Sequence, residues 1–413
     1  MQTKLADWIK DSPQGLEADS ILRKCVHCGF CLATCPTYTL LGDELDSPRG
    51  RIYLMKQMLE GAPVTERTQR HLDRCLTCRA CETTCPSGVE YGRLVNIGRA
   101  LVEERVPRKP GDRFRRWLLK SFIPRRGLFS LAVALGRAFR PLMPASLSAK
   151  LPARRDPGTW PEARHKRRMI VLQGCVQPSM APSIDPAAAR VLDRLGISLV
   201  RVPRGGCCGA LAYHLEYQDD GLDYARANID AWWPHLEAGA EAIVITASGC
   251  ATQVRDYGHL LSHDPAYAAK ASRISALAKD VSEVIAAERA RLAALPKSKP
   301  RETKIAFHSP CTLQHGLKLT GVVEAILREA GFALTPVPDA HLCCGSAGAY
   351  SLLHPEISKD LRYAKLKALH SGGPAAIATA NIGCLSHLDA AARVPVVHWI
   401  ELLDQRLAPV QQE

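Results

Sequence analysis

The sequence predicts an α+β multidomain protein, with a helical, cysteine-rich N-terminal domain followed by a duplicated α/β domain. Three observations lead to this fold class. Eight of the 16 cysteines fall within the first 92 residues, in two tightly spaced groups. The other eight divide equally between two later stretches that show the same order of cysteines. In both later stretches short strand-like apolar runs alternate with helix-like segments, which is the pattern of a parallel sheet.

Composition divides the chain into four predicted regions. These are a first domain (1–92), a basic connector without cysteine (93–168) and two cysteine repeats (169–295 and 301–413), with a polar linker from Pro296 to Thr303 between the repeats. The connector carries 20 Lys/Arg and 5 Asp/Glu, a net of +15, whereas the whole chain has 54 − 41 = +13. The basic character of the protein is therefore a property of one segment.

Length and polarity exclude several classes of protein. With 413 residues, 46% hydrophobic and 23% charged, the chain is a folded protein that needs no disulfides for stability. It has no run of about 18 apolar residues and no secretory signal, so we expect a cytoplasmic protein. Thiols stay reduced in that compartment, and 16 cysteines there indicate metal binding.

The first domain contains the motif C-x2-C-x2-C-x3-C-P twice, beginning at Cys25 and at Cys75. Three thiolates at intervals of three residues can reach three corners of one small cube, and the fourth points toward a second cube. This is the bacterial iron–sulfur run, whose fourth cysteine serves the other cluster. The prediction is two [4Fe–4S] clusters, one held by Cys25, Cys28, Cys31 and Cys85 and the other by Cys35, Cys75, Cys78 and Cys81. Paired C-x2-C elements also build zinc sites, and zinc is the alternative.

The stretch between the two motifs contains a helix-like run from Gly50 to Leu59, which indicates a helical ferredoxin-like domain. Ser47 to Arg51 (SPRGR) overlaps the start of this run. Its arginines could stabilise the added negative charge of a reduced cluster. Alternatively, they are basic residues on the solvated face of a helix start. The sequence leaves both interpretations open.

The two repeats each contain a Cys-Cys-Gly triplet, with a cysteine 32 residues before it and a Gly-Cys pair after it. Adjacent cysteines can both face one metal cluster, and the following glycine permits the backbone angles that this requires. The candidate ligands are Cys175, Cys207, Cys208 and Cys250 in the first repeat, and Cys311, Cys343, Cys344 and Cys384 in the second. They would hold one or two further clusters. A redox-active thiol pair or a disulfide is the alternative.

The predicted elements of the repeats place these cysteines at strand ends. The strand-like runs are 169–175, 242–250, 305–311 and 376–384, and each ends at a cysteine. The helix-like segments lie near 186–195, 222–238, 321–330 and 358–370. Open α/β sheets place their sites at the carboxyl ends of strands, which fits a metal or redox site there.

The double ferredoxin-type motif followed by two Cys-Cys-Gly domains resembles the iron–sulfur subunits of bacterial glycolate oxidase. Relatives of that family include the C subunit of anaerobic glycerol-3-phosphate dehydrogenase, lactate-utilisation iron–sulfur proteins and heterodisulfide reductase subunits. The resemblance covers nearly the whole chain. The ferredoxin motif alone is shared by many electron carriers, whereas its combination with the duplicated Cys-Cys-Gly domain is specific to this superfamily.

The resemblance implies a subunit that takes electrons from an FAD-binding dehydrogenase subunit of the same complex and passes them toward membrane quinone. Substrate oxidation then takes place on the partner, so no catalytic residue is assigned here. Glycolate is the expected substrate of the complex, and lactate and glycerol 3-phosphate are the alternatives. An alternative function is that a Cys-Cys-Gly domain of this chain itself reduces a disulfide or quinone. Heterodisulfide reductases have a further cysteine where this chain has Gln253 and His387, which argues against disulfide chemistry.

The basic segment 105–140 alternates arginines with large apolar residues and resembles two amphipathic helices broken at Pro124. Such helices lie on anionic membrane surfaces, so we expect peripheral contact with the inner face of the cytoplasmic membrane, near quinone. Docking on an acidic face of the flavin subunit, or simple packing as a connector, are the alternatives. No nucleic-acid recognition motif accompanies the charge. The arginines expected to make the contact are Arg113, Arg115, Arg116, Arg125 and Arg126.

Overall fold

The computed structural model describes residues 1–142, 156–298 and 303–407, which divide into two compact units. The first unit consists of Met1–Trp117 and His341–Lys365, and the rest of the described chain forms the second. Parts of the predicted connector, of the Pro296 to Thr303 linker and of the second repeat (143–155, 299–302 and 408–413) lie outside the described residues.

The first unit is helical. Its helices are Pro13–Lys24, Pro36–Leu41, Pro48–Leu59, Glu66–Asp73, Ala80–Thr83, Tyr91–Arg105 and Tyr350–Leu353, with a 3-10 turn at Glu44–Asp46; Pro110–Phe122 begins in this unit and Pro355–His370 ends beyond it. Two helices begin with Ser-Pro: the hydroxyls of Ser12 and Ser47 cap the first turns, and the prolines occupy a position that needs no N–H donor. The fully buried Leu22, Met55 and Leu94 form part of the core.

The second unit contains two four-stranded parallel sheets. The first has β1 (Arg167–Val171), β2 (Ile197–Arg201), β3 (Ile243–Ile245) and β4 (Ala278–Asp280) in the order β2-β1-β3-β4. The second has β5 (Lys304–His308), β6 (Ala333–Thr335), β7 (Ala376–Thr379) and β8 (Val396–His398) in the order β6-β5-β7-β8. The same order in both sheets confirms the predicted duplication and the predicted fold class.

Helices connect these strands, as parallel pairing requires. In the second unit they are Arg126–Ala138, Gln177–Met180, Ile184–Arg194, Ala210–His214, Gln218–Glu237, Ser248–Arg255, Tyr257–Leu260, Ala268–Leu277, Val281–Ala287, Arg289–Ala294, Val322–Glu329, Ile382–Asp389 and Trp399–Arg406, with a 3-10 turn at Arg140–Leu142 and a π-helical turn at Thr312–Gly316. The bounds of four helices lie within four residues of those predicted at 186–195, 222–238, 321–330 and 358–370.

The predicted strands are too long at their carboxyl ends. β1 ends four residues before Cys175, and β3 ends five residues before Cys250. Gly174 has a φ of 67°, which turns the chain out of the sheet, and Cys250 already lies in the helix Ser248–Arg255. The cysteines therefore occupy loops and first helical turns rather than strand ends.

The carboxyl ends of the two sheets meet in one interface. The amide of Ser248, which follows β3, donates to the carbonyl of Ala380, which follows β7, at 3.1 Å. The hydroxyls of Ser248 and Thr312 are 2.7 Å apart. His398, at the end of β8, donates from Nε2 to the Thr246 carbonyl at 2.9 Å. The cysteine-bearing edges of both repeats are thereby held against each other.

Candidate metal centre

The structure gathers the eight cysteines of the first domain around two cavities in the first unit. One is lined by Cys25, Cys28, Cys31, Cys81 and Cys85. The other is lined by Cys35, Cys75, Cys78 and Cys81. Cysteines of both motifs therefore line each cavity, and Cys81 lines both.

The two cavities share part of their lining. Pro48, Cys81 and Tyr91 line both, so the two cavities are neighbours. A [4Fe–4S] cluster takes four thiolate ligands, and the cysteines that line each cavity supply such a set.

The two motifs adopt the same unusual backbone. In the first, His27 and Gly29 have positive φ angles of 57° and 85°; in the second, Thr77 and Arg79 have 54° and 59°. A β-branched residue such as Thr77 rarely adopts this conformation, because its side chain crowds the backbone. The strained turn directs amides toward sulfur: Thr77 N–H donates to Cys75 Sγ at 3.4 Å.

Two buried arginines surround the second cavity. Arg51 is 1% exposed and pairs with the equally buried Asp46 at 3.3 Å. Arg99 donates from Nη2 to the carbonyl of Cys75 at 2.6 Å. Burial works against ionisation of Cys75, but the positive charges of Arg51 and Arg99 outweigh it and lower the pKa of this thiol. The positive charges of the two arginines thus favour the thiolate form of Cys75. They also favour added negative charge in this cavity.

The SPRGR stretch combines both interpretations that the sequence left open. Ser47 and Pro48 start a helix, and Arg49 lies half-buried at its first turn in an ion pair with Glu44 at 2.8 Å. Arg51, two residues on, points inward: its Nε donates to the His71 carbonyl at 2.6 Å, and its Nη2 reaches Thr37 Oγ1 at 3.2 Å. Arg49 lines the first cavity and Arg51 lines the second, so each of the two arginines lies beside one of the sites.

The clustered thiols raise one another's pKa. Burial, followed by the charge of Cys25, raises the pKa of Cys31 to about 11. Burial and the neighbouring Cys78 and Cys75 raise the pKa of Cys81 well above the ordinary value. Such thiols give up their protons only when a cation replaces them, which is what a bound metal cluster does.

In the first repeat the four predicted cysteines lie together. Cys207 hydrogen-bonds with Cys175 and Cys208, and Cys208 with Cys250, so the thiols form a continuous chain. Hydrogen bonds from Cys207 and Cys250 lower the pKa of Cys208, whereas the pKa values of Cys207 and Cys250 are raised. These four residues can hold a metal cluster or act as redox-active thiols.

The turn after the paired cysteines requires glycine in both repeats. Gly209 has a φ of 85°, and a Cβ there would lie 2.4 Å from the Gly221 carbonyl oxygen. Gly345 has a φ of 87°, and a Cβ would lie 2.7 Å from the Ser358 carbonyl oxygen. In each triplet the glycine amide donates to the sulfur of the first cysteine at 3.4 Å. The predicted role of these glycines is confirmed.

Several polar residues that support the first repeat's thiols were not predicted. Asn228 donates to the Cys207 carbonyl at 2.7 Å, and the Tyr257 hydroxyl donates to the Cys208 carbonyl at 2.9 Å. Both come from helices far along the chain and belong to no motif, so spacing gives no signal for them. Arg99 was missed for the same reason.

A buried carboxyl group also lies near these thiols. Asp185 Oδ1 accepts from Thr246 Oγ1 and Gln177 Nε2, each at 2.7 Å. Burial raises its pKa to about 6, and its charge contributes to the raised pKa of Cys250. The sequence alone gives no reason to single out Asp185.

The four cysteines of the second repeat are divided between the two units. Cys343 and Cys344, both buried, belong to the first unit, with Gly345. Cys311 and Cys384 belong to the second unit, where Cys384 Sγ accepts from Asn381 Nδ2 at 3.4 Å. Cys311 precedes the π-helical turn Thr312–Gly316.

Comparison with known proteins agrees with this architecture. The 4Fe-4S dicluster domain family matches residues 21–89, and the cysteine-rich domain family matches residues 169–255 and 305–389. The chain is 55% identical to the glycolate oxidase iron-sulfur subunit of Escherichia coli (strain K12), over 98% of this chain and 99% of that protein. It is 30% identical to the probable glycolate oxidase iron-sulfur subunit of Bacillus subtilis (strain 168), over 92% and 93%.

More distant relatives share part of the chain. Lactate utilization protein A of Bacillus licheniformis is 28% identical over 56% of this chain and 97% of its own length. Two cysteine-lined cavities, a duplicated cysteine-rich domain and full-length similarity lead to one conclusion. The chain is an iron–sulfur protein and belongs to the family of glycolate oxidase iron–sulfur subunits.

Proposed function

We propose that this chain is the electron-transfer subunit of an FAD-dependent glycolate dehydrogenase complex and delivers electrons toward membrane quinone. The observation that carries the proposal is the pair of adjacent cavities, each lined by cysteines from both motifs. Cys25, Cys28, Cys31 and Cys85 would hold one [4Fe–4S] cluster, and Cys35, Cys75, Cys78 and Cys81 the other. Bound there, such clusters supply one-electron redox chemistry.

The residues around the cavities suit this task. Adjacent cavities that share Tyr91 and Cys81 as a wall keep the path between the two ligand sets short. Arg51 and Arg99 stabilise added negative charge at the second cavity, which raises the reduction potential there. The flavin of the partner would release its two electrons singly, and this chain provides two sites to receive them.

The first cavity offers the surface at which electrons can enter. Cys28 is exposed, and the neighbouring Val26 and Phe30 are 65% and 64% exposed. Exposed apolar side chains beside a redox centre are suited to a close, dry contact with a partner protein. We place the docking site of the flavin subunit here.

Metal analysis tests the cofactor assignment. The chain is purified without oxygen, and iron, acid-labile sulfide and zinc are measured per polypeptide. About eight irons with matching sulfide are expected for two clusters, and about twelve to sixteen if one or both repeats also bind clusters. Zinc without sulfide would contradict the proposal.

Co-expression with the flavin subunit tests the substrate. The purified complex is given glycolate, lactate or glycerol 3-phosphate, with a quinone as acceptor. The proposal predicts quinone reduction that is fastest with glycolate. If lactate or glycerol 3-phosphate is the faster substrate, the chain is still an electron-transfer subunit, but of a lactate or glycerol-3-phosphate dehydrogenase.

One helix of the basic segment has an exposed apolar face, which supports membrane contact. In the second unit, Leu128, Leu131, Leu135 and Phe139 form an exposed apolar stripe on the helix Arg126–Ala138. The opposite face is packed: Val133 is buried, and Arg137 donates to the Ser179 carbonyl at 3.0 Å. Among the described residues no helix is long and apolar enough to cross a membrane. We propose that this stripe and the flanking arginines contact the anionic inner face of the cytoplasmic membrane.

One of the arginines expected to make this contact is not available for it. Arg116 is 5% exposed and pairs with Asp73 at 3.3 Å and Asp112 at 3.0 Å, so its role is structural. The same helix turns Arg113 and Arg115 outward, and Arg125 is also exposed. The amphipathic pattern could not separate these arginines, because buried ion partners are not visible in sequence.

Vesicle sedimentation tests the membrane contact. Arg113, Arg115 and Arg125 are changed together to Gln, which should weaken binding to phosphatidylglycerol vesicles by about 3 kcal/mol, roughly a hundredfold. The matched control removes the same charge at Lys4, Lys10 and Lys359, which are exposed elsewhere. Equal binding by the two variants would refute the contact.

A further inference from the structure

The loop that carries Cys343 and Cys344 belongs to the same compact unit as the dicluster domain. The segment His341–Lys365 leaves its own repeat and joins Met1–Trp117. After Gly345 the chain passes through Ala347 and Gly348, both with positive φ, and enters the short helix Tyr350–Leu353. The equivalent triplet of the first repeat belongs to the second unit.

Tyr350 connects this loop with the second cavity. Its side chain is buried, with 7% exposed, and its hydroxyl donates to the carbonyl of Arg74 at 3.0 Å. Arg74 directly precedes Cys75. At the other end the Tyr350 amide donates to the Ala347 carbonyl at 3.1 Å, within the turn that follows the paired cysteines. Tyr350 therefore joins the carbonyl of Arg74, the residue before a cavity-lining cysteine, to the Cys-Cys-Gly loop.

The electrostatics of Tyr350 agree with this position. Burial raises its pKa first, and the charges of Cys75 and Cys343 both add to the increase. The ring also packs against that of His354, with 4.7 Å between centroids, which fixes its orientation. Tyr350 is thus held rigidly within electrostatic range of thiols from both sites.

We propose that Tyr350 is the positioning residue that couples the second cavity electronically to the paired cysteines of the second repeat. The inference rests on the proposed electron-transfer function. Cys75 would be among the ligands of the electron donor, and Cys343 and Cys344 would be among the ligands of the acceptor, an iron–sulfur cluster that would take up one electron as the donor is oxidised. The hydrogen bond from Tyr350 to the Arg74 carbonyl shortens the through-bond path between the two.

The test is freeze-quench EPR of the full chain after rapid one-electron photoreduction. A Cys343→Ser variant first identifies the acceptor signal as the one that it lacks. Tyr350→Phe removes only the hydroxyl and is expected to slow the appearance of that signal at least about threefold, with iron and sulfide content unchanged. Tyr363→Phe is the matched control, because Tyr363 lies in the same unit and is 74% exposed.

The outcomes separate this inference from the function on which it rests. Equal rates in Tyr350→Phe and Tyr363→Phe would overturn the coupling role, as would a Cys343→Ser variant that loses no signal. A residue with a merely structural role would lower cluster content or thermal stability and leave the rate at equal loading unchanged. Absence of iron–sulfur signals from the wild-type chain would instead refute the proposed function.

Discussion

The two cavities of the first unit are built from the same motif but differ in their surroundings. The first reaches the surface, with Cys28, Val26 and Phe30 exposed. At the second, Cys78 is half-buried, and the buried Arg51 and Arg99 carry positive charge close to Cys75. One sequence pattern therefore supplies the ligands for both, and the remaining chain gives each a different environment.

Under the proposed function, this difference would give electron flow a direction. A centre beside exposed apolar side chains can meet a partner, whereas a centre with buried cationic neighbours has a higher potential and attracts the electron. Electrons entering at the first cavity would therefore move on to the second. The following predictions test that contrast, from the largest expected effect to the smallest.

Loss of a cavity cysteine should have the largest effect. Cys78→Ala is expected to remove about four irons and to abolish electron delivery to quinone, while the flavin subunit keeps its activity with an artificial acceptor. Cys28→Ala should also lose about four irons but destabilise the chain less, because no buried arginine is left without a counter-charge there. Iron analysis, quinone reduction and thermal unfolding measure these effects. Retained quinone reduction in Cys78→Ala would contradict the relay.

Replacing Arg51 tests the buried charge directly. Arg51→Met removes a buried partner of Asp46 and should destabilise the chain by about 3–5 kcal/mol, with a lower potential for the second cluster. Arg49→Met, in the same helical turn, breaks a half-exposed ion pair and should cost about 0–1 kcal/mol. Anaerobic unfolding and EPR-monitored redox titration measure the two effects. Because Arg49 lines only the first cavity, equal potentials of the second cluster in both variants would mean that Arg51 does not tune that site.

Phe30→Asp tests the exposed side of the comparison. A charge in an apolar contact should weaken association with the flavin subunit about tenfold or more without changing iron content. Leu16→Asp is the control, since Leu16 is 61% exposed and lies in the helix Pro13–Lys24, outside the cysteine motifs. Titration of labelled flavin subunit provides the affinities. Equal weakening by the two variants would place the docking site elsewhere.

The smallest effect concerns pH. Burial, opposed in part by Asp73 and reinforced by Arg116, lowers the pKa of His354 from 6.5 to about 4. The histidine of the unfolded chain therefore binds the proton more tightly than that of the folded chain. The contribution of neutral His354 to the free energy of unfolding is fully present above pH 6.5 and is lost as the pH decreases toward 4. His354→Asn should remove about 1–3 kcal/mol of this pH dependence. Thermal unfolding between pH 7.5 and 5 tests it, and an unchanged slope would show that His354 is not the titrating group.

Much of the fold and part of the site could be read from sequence because both rest on local patterns. Helices with Ser-Pro starts and parallel strands with helical connections are set by residues close together in the chain. The ends of the strands were predicted less well, because the runs up to Cys175 and Cys250 stay apolar while Gly174 and Ser248 already turn the backbone.

By itself, the sequence determined the ligand types, their spacing and the duplication, since thiol chemistry and short-range backbone geometry depend on neighbouring residues alone. Only the tertiary structure decided which charges accompany them. It buried Arg51 and Arg116 while leaving Arg113 exposed, and it brought the Tyr350 hydroxyl to the carbonyl of Arg74. The burial of these side chains depends on contacts between residues that are tens to hundreds of positions apart. Burial and ion pairing determine the free energy of a charged side chain there, and the local sequence does not indicate which residue will be its partner.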